Sequence, residues 1–443
     1  MPRPPRPLSP LLVPLVLLAC GQPPKPLKSE QRADEVLSAP AAASPTTAPS
    51  EPAPSAEAAG PVWTPETIDA LQPVARRTPG STPTPIEETP EIRAALATLD
   101  RVVTERASDP GNPWGMAHAL LARGGDFKLA DGRGAVAALF EDWAEPLSVG
   151  PHTLLRFPKE RGGARVEPHT ALLLKAMTEA GVDPQLAVRV GGAAHPVADL
   201  YRASVETTWL DISKNDASFS SPDDLPWLLQ GLAAWAPPGD LRWTAVNGKG
   251  AQLSLLVRFA VAVLSKETAF LAEAMKTGNG FERAGQGIFR YTCGGAHLLQ
   301  GAAYAVAVAS TDGRERAAIE QQIPLFFYRF PRELAITDEA LDAHPEHQLR
   351  LLVQRLKFTG HALETAEKLE ILGFYTPDAA QAAILHRVVT ELTATVAQLE
   401  SIGAYASLDA IRAQDEQVYL DIVGDSSHAY RGLQLALGRQ ALR

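Results

Sequence analysis

Beyond about residue 90 the apolar positions recur at three- and four-residue intervals almost to the C-terminus. Alternating β-branched runs are few, and Gly, Pro, Asn and Asp gather between the amphipathic stretches. The pattern predicts an all-α body. Long helices are expected at Glu91 to Glu105, Gly134 to Pro146, Pro168 to Ala180, Val197 to Trp209, Asp224 to Ala236, Gly250 to Lys276, Gly294 to Ala309, Gly313 to Arg329, Glu346 to Leu372, Pro377 to Ile402 and Ser427 to Leu437, with a shorter one from Trp114 to Ala122. Thr89-Pro90-Glu91 reads as an N-cap followed by proline in the first turn and opens the body. Thr64-Pro65 repeats the signature for a short helix to about Leu71.

Aligning the chain on histidines near the predicted helix starts reveals a repeat: His118-Ala-Leu-Leu-Ala122, His169-Thr-Ala-Leu-Leu173, His297-Leu-Leu-Gln-Gly301, His361-Ala-Leu-Glu-Thr365 and His428-Ala-Tyr-Arg-Gly432. A sixth copy carries tryptophan, Trp227-Leu-Leu-Gln-Gly231. Four residues after the marker, on the same helical face, stand Ala122, Leu173, Gly231, Gly301, Thr365 and Gly432; all but Leu173 are small, as close helix packing requires. One further long helix falls in each interval, so the prediction is six helical hairpins.

That arrangement resembles the (α/α)6 toroid shared by terpene cyclases, lanthionine synthetases and several glycan lyases and hydrolases, and the resemblance covers about residues 90 to 443. It implies alternate helices forming an inner barrel whose N-terminal ends gather at one mouth, with the marker histidines facing it. The competing reading is an open helical-repeat solenoid. Terpenoid chemistry is not expected. The chain has only 28 aromatic residues for a carbocation cavity, and Asp223-Asp224-Leu225-Pro226-Trp227 lacks the later aspartate of DDxxD.

The N-terminus is of another kind. Arg3 and Arg6 precede an apolar run from Leu8 to Ala19 that is too short to cross a bilayer and reads as the hydrophobic region of a secretion signal. It ends in Leu17-Leu18-Ala19-Cys20, which resembles the lipobox of bacterial lipoprotein precursors. The resemblance implies cleavage before Cys20, palmitate and related acyl chains on Cys20 as a membrane anchor, and, with Gly21 following, export to the outer membrane of the cell envelope. Of the 37 prolines, 21 lie in the first 90 residues, and 20 of the 23 residues from Ala39 to Pro61 are Ala, Pro, Ser or Thr. Such a stretch has no large apolar side chains to repay the entropy of ordering it. The expected organisation is a signal peptide at 1–19, a lipid-anchored disordered tether at 20–88 and the helical domain at 89–443.

Charge narrows the partners. The net charge of −10, or −12 once residues 1–19 are removed, argues against nucleic acid. Gly132-Arg133-Gly134 and Asn247-Gly248-Lys249-Gly250 lack the phosphate-cradling GxxxxGK[ST], so no nucleotide is expected. With Cys20 acylated, Cys293 is the remaining thiol and has no internal disulfide partner.

Candidate chemistry centres on Thr292-Cys293-Gly294-Gly295-Ala296-His297. A thiol and an imidazole four residues apart on one face of a beginning helix can share a zinc ion, so Cys293 and His297 are the candidate metal ligands. The segment is loosely similar to a metal-binding cysteine segment of lanthionine synthetases, although the second cysteine that family supplies is missing here. The alternative is no cofactor, with Cys293 acting as a small apolar residue and His297 hydrogen-bonded to a neighbouring helix. His118, His297, His361 and His428 are the candidate catalytic residues. Glu167, Asp223, Asp224, Glu364 and Asp425 are the carboxylates nearest the predicted mouth, with helix capping as their competing use and a local His361–Glu364 pair as another. Tyr430 is a further candidate acid or base beside His118 and His297 for a lyase. Trp209, Trp227, Trp235 and Trp243 are read as either a sugar-stacking platform or core. The functional expectation is a binding or structural module that presents the toroid to a glycan or an envelope protein. The alternative is a polysaccharide hydrolase or lyase, with or without metal.

Overall fold

The computed structural model describes residues 61–76, 80, 83–214, 216–219, 221–283, 285–309, 313–440 and 442. The signal segment, Cys20 and the Ala/Pro-rich stretch to residue 60 lie outside the described residues. Thirteen α-helices dominate the rest: α1 (Pro90–Ala107), α2 (Pro113–Arg123), α3 (Ala135–Trp143), α4 (Leu172–Glu179), α5 (Ala198–Thr207), α6 (Leu225–Trp235), α7 (Leu253–Thr277), α8 (Ala296–Val308), α9 (Gly313–Ala343), α10 (Gln348–Ile371), α11 (Ala379–Ser401), α12 (Leu408–Gln414) and α13 (Glu416–Ala436). None of them is long and apolar enough to cross a membrane.

Local chemistry explains several boundaries. The Thr89 hydroxyl accepts from Ile92 N with Pro90 at the first helical position, as the sequence predicts. Asp378 and Gln381 close a reciprocal capping box on α11. Other boundaries differ from the prediction. Helix α9 continues to Ala343 through Pro324 and Pro331, because packing against α7, α8, α10 and α11 outweighs the hydrogen bonds the prolines remove. Helix α13 begins at Glu416, eleven residues before the expected Ser427, so His428 sits inside it. The pattern also misses short antiparallel pairs, among them Glu145–Val149 with His152–Arg156 and Ala187–Val190 with Ala193–Pro196. These fill inter-helix segments that a helical period does not describe.

Five of the six marker positions lie in helices, and His169 sits in a bend three residues before α4, which starts later than the expected Pro168; these helices touch in succession: α2 packs on α4, α4 on α6, α6 on α8, α8 on α10, α10 on α13, and α13 on α2. The small residues four positions on sit at these contacts. A Cβ on Gly301 would lie 2.4 Å from the Pro226 carbonyl oxygen and 2.7 Å from its Cα, whereas the nearest atom to one on Gly231 would be in the Leu174 side chain, at 2.8 Å. Backbone cannot yield as a side chain can. Gly301→Ala is therefore expected to cost about 3 kcal/mol, at the upper end of overpacking penalties, and Gly231→Ala roughly 1 kcal/mol; denaturant midpoints of the two variants check the order.

Residues 61–76 and 83–88, assigned to the tether by composition, are part of the body. Val62–Trp63 pairs in parallel with Arg242–Trp243. Ile68 and Leu71 are fully buried, and Arg76 donates to the carbonyls of Ala236, Val308 and Pro237. Ile68 and Leu71 stand among prolines and threonines, so a window-averaged composition hides them. Beginning the chain at Thr89 is expected to cost several kcal/mol through loss of these two side chains alone, at about 1.5–3 kcal/mol each, measurable as a lower denaturation midpoint than that of the full chain.

Candidate functional site

The site starts at a strained turn. Thr292–Gly295 forms a 3-10 turn ahead of α8 in which Cys293 (φ 53°), Gly294 (φ 61°) and Gly295 (φ 79°) are all left-handed. Glycine is required at two of these positions: a Cβ on Gly295 would fall 2.3 Å from the Ile288 side chain, and one on Gly294 would fall 2.7 Å from Arg329 Nη2. At Cys293 the conformation costs roughly 1–2 kcal/mol. It is held by Asp223, whose carboxylate accepts from Thr292 N (2.7 Å) and Thr292 Oγ1 (2.6 Å), and by Arg329, which donates to Gly294 O (2.8 Å). The result is Cys293 Sγ at 3.3 Å from His361 Nε2. Cys293 and His297 thus come together through a left-handed turn, where the spacing predicted one face of a regular helix.

The marker residues converge. His297 is 4.7 Å from His361 and 5.4 Å from His428 between ring centroids; His361 and His428 are 4.0 Å apart, and His118 lies 5.5 Å from His428. Trp227 joins the other side, stacked on His169 at 4.2 Å and 4.8 Å from His297. All six markers line one cavity of about 470 Å³, measured out to its open side, together with Cys293, Lys357, Asp421 and Asp425.

Each imidazole has a defined setting. Trp114 O accepts from His118 Nδ1 (2.8 Å), and Glu364 Oε2 accepts from His428 Nδ1 (2.6 Å); each bond leaves the Nε2 lone pair available. His361 Nε2 lies 3.2 Å from Asp425 Oδ1 as well as against Cys293, while its buried Nδ1 has no hydrogen-bond partner among the described residues. Burial holds His118 and His169 down to about 4. His297 and His428 are pushed well below the ordinary histidine range, first by burial and then by the neighbouring His361. These rings are neutral near pH 7 and so are competent to bind metal or accept a proton.

Beneath the histidines lies a buried charge network. Glu364 contacts Lys368 (2.7 Å), Arg431 (3.4 Å) and His428; Glu179 contacts Arg431 (2.6 Å), Lys368 (2.9 Å) and Lys175 (3.7 Å). Gln230 donates to Glu179, and Gln300 accepts from Lys368 (3.0 Å). Burial alone would raise Glu364, but Lys368, His428 and Arg431 outweigh it and hold the carboxyl well below its usual range. On the other side of the histidines, Lys357 pairs with Asp421 (2.8 Å) and reaches Asp425 (3.8 Å).

Several expectations change. Asp425 lies inside α13 and faces His361, so it is not a helix cap. Asp223 anchors Thr292; the Ser221 hydroxyl, accepting from Asp223 N, caps the Pro222–Asp224 turn ahead of α6, and no side-chain cap bond comes from Asp224. Glu167 does act at a helix start, accepting from Leu173 N (2.9 Å). His361 and Glu364 do not pair locally, since each reaches across to α13. Tyr430 is buried 5.0 Å from the Arg123 guanidinium and does not line the cavity. Of the four clustered tryptophans only Trp227 reaches the cavity; Trp235 and Trp243 are core, and Trp209 lies under Lys249 Nζ at 3.5 Å.

The network residues passed unnoticed in the sequence, although a signal exists. Three positions after the marker stand Gln230, Gln300, Glu364 and Arg431, the polar residues that build it. Lys175, Glu179 and Lys368 lie further along α4 and α10 and carry no repeat mark.

Among the described residues, two groups of donor atoms lie close enough to hold a metal ion, each within 4.8 Å of one another: Cys293, His297 and His361, and His361, Glu364 and His428. No known protein family, curated protein or solved structure matches this chain.

Proposed function

We propose that this chain is a lipoprotein of the bacterial cell envelope, anchored in the outer membrane through Cys20, whose helices close into an (α/α)6 toroid serving as a binding module with zinc at its mouth. The observation that carries the zinc reading is the convergence of Cys293, His297 and His361 donors within 4.8 Å. A mixed thiolate and imidazole set suits zinc, and burial keeps His297 neutral. The Glu364 carboxylate on His428 fixes that ring's tautomer in the way outer carboxylates do around metal centres. Toroid closure is supported by the unbroken succession of inner contacts from α2 to α13 and back to α2. The organic partner of such a module is an envelope glycan or protein.

The test is metal content by inductively coupled plasma mass spectrometry on the full chain purified without metal-affinity resin. About one zinc per chain is expected, falling below about 0.1 in the Cys293→Ala, His297→Ala variant. Less than about 0.1 zinc in the parent chain after dialysis against micromolar zinc would overturn the reading. Mass spectrometry of the mature N-terminus checks the anchor, which predicts acylated Cys20.

A second reading, a polysaccharide hydrolase or lyase, is favoured by Asp425 lying 3.2 Å from His361 beside the same cavity. It predicts release of reducing or unsaturated sugar ends from envelope polysaccharide, lost by at least about 100-fold in Asp425→Asn. Binding of the same glycans without turnover would exclude it.

A further inference from the structure

Cys293, His297 and His361 all border the mouth cavity, and among the described residues no fourth His, Cys, Asp or Glu donor joins them within 4.8 Å. Three protein donors leave the fourth tetrahedral position of a zinc ion to a ligand from outside the chain. The cavity the three side chains share has room there for about one or two water-sized groups. The rest of its lining decides what kind of group fits. Trp114 O and the Glu364 carboxylate can only accept, so His118 and His428 each carry a proton on Nδ1. With both rings neutral, each Nε2 is an acceptor, and neither has a hydrogen-bond partner among the described residues. The buried Asp425 Oδ2 also lacks one. Donors on the lining are committed elsewhere: Lys357 Nζ lies 2.8 Å from Asp421, the Thr292 hydroxyl donates to Asp223, and the Trp114 indole donates to Leu420 O. An anion entering here would meet lone pairs and the two carboxylates of Asp421 and Asp425 against the charge of Lys357. A group that brings its own polar hydrogens would satisfy those acceptors.

We propose that the metal site is open toward the mouth and that its fourth ligand is a neutral hydrogen-bond donor: water, or a single hydroxyl or amino group projected from a larger partner outside. His118 and His428 accept from that group and so select it over anions that can only accept. Glu364 acts through His428, fixing the tautomer that offers a lone pair to the ligand. This selection rests on the zinc reading above and names the group that site takes. A sugar hydroxyl belongs to the class; a carboxylate or phosphate does not.

Cobalt(II) loaded into the full chain in place of zinc makes the fourth ligand visible, because exchange of one ligand on the ion shifts its d–d absorption bands. Hydroxylamine, a neutral donor, and azide, an anion that only accepts, are titrated against the parent and against His428→Phe and His118→Phe, which keep a ring and lose the acceptor. Each variant is expected to bind hydroxylamine about three- to tenfold more weakly, the loss of one hydrogen bond, and azide more tightly by a similar factor. Opposite shifts for the two ligands separate lost selection from a disturbed site, which would weaken both. His118→Phe keeps the test decisive if His428→Phe fails to fold. Bands that neither ligand moves in the parent would mean that the site is closed and would overturn the proposal, as would shifts of the same sign for both ligands. A parent chain that takes up no cobalt overturns the zinc reading itself, and this selection with it.

Discussion

Glu364→Leu is expected to destabilise the protein by about 3–5 kcal/mol, the cost of removing one partner from a buried ion network. Glu364 is fully buried and meets Lys368, Arg431 and His428. Without it, Glu179 alone faces Lys175, Lys368 and Arg431 in a region closed to water. The loss is predicted to come from stranded cations more than from one missing attraction, and this can be separated. Adding Lys368→Met removes one stranded charge, and the double variant is expected to regain at least about 1 kcal/mol of the loss, a coupling within the range of contacting residues. Urea or guanidinium unfolding of the single and double variants measures both quantities. A single-variant loss under about 1 kcal/mol would mean that the network is solvated and does not hold α4, α10 and α13 together.

The second large effect is acid instability of the metal-free protein. Unfolded, each imidazole binds its proton near 6.5; folded, His118 and His169 do so only near 4, and burial holds His297 and His428 well below the ordinary histidine range. The unfolded state therefore holds up to four more protons below 6.5, which favours unfolding as pH falls. Buried carboxyls oppose this. Burial raises Glu167 and Glu367 to about 8 and Glu206 to about 7, so between 4.5 and those values the folded state holds the extra protons and stability falls as pH rises. The two sets nearly cancel from 4.5 to 6.5, leaving a plateau, and above 6.5 only the gentle alkaline loss to about 8 remains. Below 4.5 the raised carboxyls are protonated in both states and cease to matter. Glu179 and Glu364, whose carboxyls are held down in the folded chain, then join the histidines. Because His118 and His169 themselves take up protons near 4, about four protons net favour the unfolded chain, and the slope reaches about 5 kcal/mol per pH unit. Denaturation midpoints in EDTA from pH 3.5 to 8 are expected to show a plateau ending in a cliff near pH 4.5. A steady loss of stability on acidification beginning at 6.5 would show that the buried carboxyls do not offset the histidines. Glu367→Gln is expected to weaken the alkaline limb.

Legibility of the site followed a simple physical division. A residue whose position is set by the helix that carries it could be placed from the repeat: His118, His297, His361 and His428 do meet, and Gly231, Gly301 and Gly432 recur where the marker helices approach. A residue whose role depends on what faces it could not. Asp425, read as a candidate cap, is a partner of His361 because α13 begins eleven residues earlier than expected and carries the carboxylate across from α10. Glu364, read as a local partner of His361, bonds His428 instead. Cys293 reaches His361 through a backbone conformation that the Gly-Gly pair permits but does not specify.

The sequence by itself determined the helical class, the spacing of the marker histidines and the small residues between them, because periodicity and side-chain size act over one or two turns of a helix. It also carried the polar position three residues past each later marker. Tertiary structure decided which charges face one another, that Ile68 and Leu71 belong to the core, and that Cys293 turns its thiol onto His361. Those outcomes depend on contacts between residues 60 to more than 300 positions apart, where burial and Coulomb energy are set by neighbours that no local pattern encodes.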